Sequence, residues 1–197
     1  MSQPVLGKQQ LRISAIRERY SPRAFDVRRG IGQEDWLALF EAARWAASGR
    51  NLQPWRYSAA RREDGDDFLV LLGLLLERNQ RWARNAAALV VASTRVSDDA
   101  GRPHPYARHD LGLANQNLIL EAQARGIHAR IVAGFDADRA RRTLGVPESF
   151  DPVVVLALGY PGDPAILDDE LRALDAKPRV RLPQEDFVFS LRWGNPY

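Results

Sequence analysis

The sequence contains no cysteine. That excludes a disulfide framework, a thiolate zinc site and a redox-active thiol pair. If the protein moves electrons, a bound cofactor must carry them. Histidine is scarce as well: His104, His109 and His128 are the only 3. They are too few and too separate to suggest a metal site, and they read as surface or satisfied polar residues rather than as catalytic groups. No stretch approaches the roughly 20 apolar residues of a membrane span. The longest candidates, 86–92 and 153–158, have strand length, so no membrane association is expected. The opening Met-Ser-Gln-Pro has no basic region followed by a long apolar stretch, which argues against a signal peptide and for a cytoplasmic protein. The Gly-x-Gly-x-x-Gly fingerprint of dinucleotide-binding sheets is also missing.

Lysine is nearly absent: Lys8 and Lys177 are alone, and arginine supplies the rest of the 28 basic side chains. Genomic composition can produce such an excess. Physically, arginine offers a planar fork of donors suited to phosphate. The net charge is only +3, and the arginines are scattered among acids, so no nucleic-acid partner is expected. A length of 197 residues with 45% hydrophobic and 27% charged side chains fits one domain with a sizeable core.

Hydrophobic spacing gives the order of elements. Residues 9–19 read as a short helix stopped by Pro22. Residues 33–47 read as a stronger one, with Trp36, Phe40, Ala43 and Ala47 on one face. Residues 55–59 alternate as a half-exposed strand does, 68–76 read as helix, and 86–92 as an interior strand. A polar loop at 97–105 precedes the longest helix, 106–125, in which Leu111, Ala114, Leu118 and Ala122 share a face and Gly126 ends it. On that helix Asn115, Gln116 and Asn117 are crowded between apolar residues. Asp136 is a good N-cap for a short helix ending near Gly145. Residues 153–158 form another interior strand. After Pro161 the chain turns polar and ends in an aromatic tail of Phe187, Phe189, Trp193 and Tyr197. Helices and strands mix without strict alternation, which favours an α+β sheet sandwiched by helices.

Four short segments could carry chemistry. Arg19-Tyr20-Ser21-Pro22-Arg23 places two guanidinium groups and a hydroxyl at a chain reversal, able to surround a phosphate. Taken alone it reads rather as a solvated helix terminus, where arginine is favourable anyway. Ala47-Ser48-Gly49-Arg50-Asn51-Leu52-Gln53-Pro54-Trp55 forms a small polar corner that lets backbone approach a flat ligand, or an ordinary helix-to-strand loop. Ala133-Gly134-Phe135-Asp136 leaves backbone N–H groups that could donate to a ring nitrogen or an anion, or is a plain strand-to-helix turn. Arg179 and Arg181, two apart in an extended segment, point the same way and could face one phosphate, or are a surface basic pair.

Taken together and in this order, these segments resemble the nitroreductase family of flavoproteins. The matching text runs from about Ile16 to the end of the sequence: Arg-Tyr-Ser-Pro-Arg-Ala-Phe, then Ala-Ala-Ser-Gly-Arg-Asn-Leu-Gln-Pro-Trp, then Asp110-x-Gly-x-Ala-x-Gln-Asn-Leu, Ala-Gly-Phe-Asp and Arg-Leu-Pro. The resemblance implies a single nitroreductase-like domain over 1–197 with a central, mostly antiparallel sheet flanked by helices. It also implies an intertwined homodimer, in which the segment from about 162 packs on the partner subunit. It implies FMN as cofactor, with NADH or NADPH as electron donor. Arg19, Tyr20, Ser21 and Arg23 would hold the phosphate and ribityl chain, and Arg179 and Arg181 would close around the same phosphate. Ser48, Gly49 and Asn51 would reach the flavin from the other subunit. Ala133 and Gly134 would lie beside the ring with a backbone N–H near its N5, and Asn79 would be a polar neighbour.

The family's chemistry belongs to the flavin, so no catalytic side chain is required. The expected reaction is ping-pong reduction of a small electron-poor acceptor such as a nitroaromatic or quinone. Flavin fragmentation, dehalogenation and peptide oxidation on the same fold remain alternatives. So do flavin binding without catalysis and a non-redox basic module for phosphate or nucleic acid. The sequence departs from the family at Ala47, where proline is common, at Gly49, where serine is common, and at Ala133, where one subgroup carries an acid. Arg50 is bulkier than usual and would reach into the substrate opening. These departures bear on substrate preference.

Overall fold

A computed structural model describes residues 11–195. The N-terminal tetrapeptide, Lys8, the first two residues of the helix expected at 9–19, and Tyr197 lie outside them. The described residues form seven α-helices and one four-stranded sheet. In chain order these are α1 (Ser14–Glu18), α2 (Gln33–Arg44), β1 (Trp55–Arg61), α3 (Asp66–Gly73) and α4 (Glu77–Ala83). There follow β2 (Ala88–Arg95), α5 (Ala107–Ala124), β3 (His128–Val132), α6 (Ala137–Leu144), β4 (Phe150–Gly159) and α7 (Asp169–Asp175). The sheet order is β1-β2-β4-β3, and each neighbouring pair is antiparallel.

The two central strands read as unbroken apolar runs because both faces of the sheet are covered. On one face Leu89, Val91, Val155 and Ala157 pack with Phe68, Leu71, Trp82, Ala140 and Leu171, which come from α3, α4, α6 and α7. On the other, Val90, Ala92, Leu156 and Leu158 pack with Leu39, Ala43, Leu111, Leu118 and Ala122, from α2 and α5. Strand β2 continues past its apolar run through Ser93 and Thr94, both buried. The Thr94 hydroxyl donates to the Ala107 carbonyl at 2.9 Å, so a polar residue is tolerated there. Among the crowded polar residues of α5, the Asn115 side chain accepts from the Tyr57 hydroxyl at 3.0 Å. Asn117 donates to the Ala42 carbonyl at 3.2 Å and ties α5 to α2.

Several element boundaries differ from the sequence expectation, two helix ends most clearly. Helix α2 stops at Arg44, not at Ala47, as the chain tightens into i→i+3 bonds at Trp45 and Ala46. The helix expected at 68–76 ends at Gly73. Glycine weakens a helix, and the Leu76 N–H leaves to bond the Gly134 carbonyl at 3.0 Å. Helices α4 and α7 have too few apolar residues to show a periodicity, and each is held by what it buries: Trp82 in the first, Leu171 in the second. Helix α6 follows its sequence signals. Asp136 accepts from the Arg139 N–H, and Gly145 is left-handed at φ 64°.

Candidate functional site

The sheet edge at β3 and the two ends of the chain meet in one cavity. Residue 19 caps α1, and Pro22 prevents the helix from continuing. The next residues run in irregular backbone to Phe25, which is fully buried. That buried anchor fixes Arg19, Tyr20, Ser21 and Arg23 against the sheet. From the far end of the sequence, Arg179 donates to the carbonyls of Arg17 and Arg19 at 3.0 and 2.6 Å. The resulting cavity has a volume of about 610 Å³ and is lined by Arg19, Tyr20, Ser21, Arg23, Arg179 and Arg181, with Arg130, Leu174, Asp175, Lys177 and Pro178. All six residues of the first and last sequence segments are thus brought together across about 160 positions.

A second cavity of about 390 Å³ shares Arg23, Arg130 and Leu174 with the first and contains Asn79, Ala133 and Gly134. The two cavities therefore adjoin, with those three side chains between them, along one groove-like edge of the sheet. At its far end the Asn79 amide donates to the Gly134 carbonyl at 2.9 Å. A Cβ on residue 134 would stand 2.5 Å from that amide nitrogen, so any larger residue there would push the Asn79 side chain out of this bond. Among the described residues the Gly134 N–H has no hydrogen-bond partner. It is a free backbone donor at the mouth of the groove.

The corner at 48–53 lies elsewhere. Gly49 and Arg50 line a separate cavity of about 520 Å³ with Leu52, Tyr106 and the loop before α5, which shares no residue with the arginine groove. Ser48 and Asn51 line neither. The corner is strained: Arg50, Asn51 and Gln53 are non-glycine residues in the left-handed region at φ 53°, 58° and 46°. Two bonds hold it. Asp110, buried on the first turn of α5, accepts from the Gly49 N–H at 3.0 Å, and the Gln53 N–H donates to the Ser48 hydroxyl at 3.1 Å. The acidic residue in the Asp110-x-Gly motif is therefore the pin of this corner.

Among the described lining residues outside the sequence motifs, Arg130 and Asp175 are the two hydrogen-bonded to the first segment. Arg130 sits on β3 and donates to the Ser21 carbonyl at 2.5 Å, with its guanidinium 5.5 Å from the centre of the Trp82 ring. Burial, then the neighbouring Arg23, lowers its pKa from the ordinary guanidinium value, and Asp175 opposes the shift. The one sequence clue is that Arg130 precedes Ala133-Gly134 and alternates with His128 and Val132 along a strand. Asp175 accepts from Arg23 at both its backbone N–H and its guanidinium, at 2.6 and 2.5 Å. It also contributes, after burial, to raising the Tyr20 phenol above its usual range.

His128 corrects the expectation of a satisfied polar residue. It is buried, its ring centre lies 4.5 Å from that of Tyr20, and its Nδ1 has no partner. Burial holds its pKa below the ordinary imidazole value, opposed in part by the Tyr20 backbone. The unfolded chain thus takes up the proton first as pH falls. Stability supplied by neutral His128 is complete above about pH 6.5 and is lost as pH drops through the window below it. The thermal midpoint should fall on acidification from pH 7 towards 5, and His128→Phe should flatten that fall. Identical pH profiles for the two proteins would show that His128 does not contribute.

This architecture, an antiparallel sheet between helical layers, is shared with solved structures. A family model described as the Nitroreductase family matches residues 16–70 and 57–160. The crystal structure of an oxidoreductase containing FMN superposes with a TM-score of 0.88 at 32% identity, over 99% of this chain and 100% of that one. A nitroreductase family protein from Streptococcus pneumoniae superposes with a TM-score of 0.71 at 18% identity, over 90% of this chain and 98% of that one, a likeness of fold. By sequence, an uncharacterized 15.4 kDa protein of Mycolicibacterium smegmatis is 39% identical over 66% of this chain and 88% of its own length. A protein of Archaeoglobus fulgidus described as "Putative NADH dehydrogenase/NAD(P)H nitroreductase" is 28% identical over 77% and 86%. The chain belongs to the nitroreductase family.

Proposed function

We propose that the protein is an FMN-dependent oxidoreductase that takes electrons from NADH or NADPH and passes them to a small electron-poor acceptor such as a nitroaromatic or quinone. The observation that carries this reading is the pair of adjoining cavities that share Arg23, Arg130 and Leu174. The pair is rich in guanidinium groups at one end and offers a bare backbone N–H beside a tightly packed glycine at the other. The donor set fits FMN. A phosphate dianion is matched by arginine forks, and a ring edge by the backbone at Ala133 and Gly134 with Asn79 beside it. FMN, when bound, supplies hydride transfer from the nicotinamide and onward reduction of the acceptor.

The chain's own residues do the rest. Arg19, Arg23, Arg179 and Arg181 would bind the phosphate, with Tyr20 and Ser21 along the ribityl chain. The Gly134 N–H would donate to the ring edge that gains electron density on reduction. Ser48, Gly49 and Asn51 do not line this groove, and a second copy of the chain would bring them to it. A homodimer is supported by the apolar side chains the single chain leaves in solvent, among them Val180, Leu182, Leu191, Trp193, Leu37 and Trp45. The segment from about 162 divides in this respect. Leu167 and Leu171 pack into the chain's own core, whereas the exposed residues beyond 180 are the part proposed to pack on the partner. In such a dimer Arg50 would sit at the substrate opening.

The test is a visible absorption spectrum of the purified protein before and after anaerobic addition of NADPH, together with its mass in solution. A yellow dimer bleached by NADPH is expected. A colourless monomer that added FMN does not reconstitute would overturn the proposal.

A further inference from the structure

We propose that Asp175 is a built-in counter-charge that limits how tightly the groove holds a phosphate monoester, so that neutralising it strengthens cofactor binding. The inference rests on the flavin reading above for the identity of the ligand, but not for the electrostatics. The cavity is lined by six cationic side chains and a single carboxylate, that of Asp175. Both carboxylate oxygens are committed to Arg23: one accepts its backbone N–H at 2.6 Å, the other its guanidinium at 2.5 Å. Each side chain of the pair is only 16% exposed, so water screens it weakly.

The placement is costly to the helix that carries it. Asp175 is the last residue of α7, where the helix dipole disfavours an anion. What offsets this is the groove. Arg23 and Arg130 are close enough to lower the Arg130 pKa, and Asp175 is the charge that opposes the effect. The carboxylate therefore keeps Arg23 and Arg130 compatible within the folded chain. The same charge repels a phosphate dianion drawn to those cations and competes for two of Arg23's donors. Holding the cations in place and weakening their ligand are two consequences of one charge, and they predict opposite responses to its removal. Folded-state stability should fall while anion affinity rises.

The experiment compares wild type with Asp175→Asn, titrating FMN, riboflavin and inorganic phosphate at constant ionic strength. Flavin binding is read by fluorescence quenching and phosphate binding by the shift in thermal midpoint. Removing one partly buried charge near the phosphate should lower the FMN dissociation constant about tenfold. Riboflavin, which has no phosphate, should bind both proteins alike. Phosphate should raise the midpoint of the variant more than that of wild type. Asp175→Ser, a neutral acceptor for the Arg23 N–H, takes its place should the asparagine variant not fold. Equal or weaker FMN binding by the folded variant overturns the counter-charge, even where flavin binding itself stands. If neither protein takes up flavin but phosphate still favours the variant, the flavin reading falls and the counter-charge stands. No difference with either probe overturns it.

Discussion

Arg23→Ala should weaken FMN binding by about a hundredfold or more. Two effects add. The phosphate loses a charge-assisted donor, worth about 1.5–3 kcal/mol. The substitution also strips Asp175 of its guanidinium partner at 2.5 Å, leaving a poorly solvated carboxylate facing the ligand, and removing one partner of such a pair is worse than removing both. Together these give roughly 3 kcal/mol, or about two powers of ten in affinity. The argument makes a sharper demand on the double variant. With Asp175→Asn added, the repulsive part disappears, so Arg23→Ala/Asp175→Asn should bind FMN markedly better than Arg23→Ala alone. Riboflavin affinity should change little across the series. FMN titrations that agree within threefold between wild type and Arg23→Ala would remove Arg23 from the phosphate cradle. A double variant no better than the single one would show that the two side chains act independently.

What could be read from the sequence followed from rules that act over a few residues. The cap at Asp136 and the left-handed Gly145 bracket α6 because both are satisfied by the helix itself. The central strands stood out because coverage on both faces forces continuous apolar runs. The arginine segments were legible for another reason, their chemistry: two forks beside a hydroxyl suit a phosphate whatever the fold. Asp175 was not legible, because its meaning lies in a partner 152 positions away and its own surroundings read only as a polar stretch of chain. Arg130 looks like one more exposed residue of an alternating strand until Trp82 and Ser21 close on it. The left-handed Arg50, Asn51 and Gln53 could not be foreseen either. Nothing local favours that backbone at arginine or glutamine, and the corner is held by Asp110 from another element. The missed helices share the same cause. Residues 77–83 contain one large apolar side chain, and a helix anchored by one tryptophan has no period to detect.

That tryptophan carries the last of the large effects. Trp82 is 1% exposed and packs among the residues beneath the sheet, with the Phe25 ring centred 6.3 Å away. Phe25 in turn anchors the segment holding Arg19 to Arg23, and the Arg130 guanidinium lies over the opposite partner, the indole itself. Trp82→Ala should therefore cost about 3–5 kcal/mol of folding stability through lost burial and an incompletely collapsed cavity. For a chain of this size that corresponds to roughly 2–4 °C of thermal midpoint per kcal/mol. Because Trp82 is the largest side chain that α4 buries, the loss should not be confined to the core. Asn79 lies on the same helix and its bond to the Gly134 carbonyl should loosen, so the ring end of the groove should weaken along with the phosphate end. Trp82→Phe keeps the apolar volume in part and should recover about half of the stability. Chemical denaturation of the three proteins checks this. A loss below about 1 kcal/mol for the alanine variant would mean that α3 and α4 repack into the space, and that the groove does not depend on the indole for its shape.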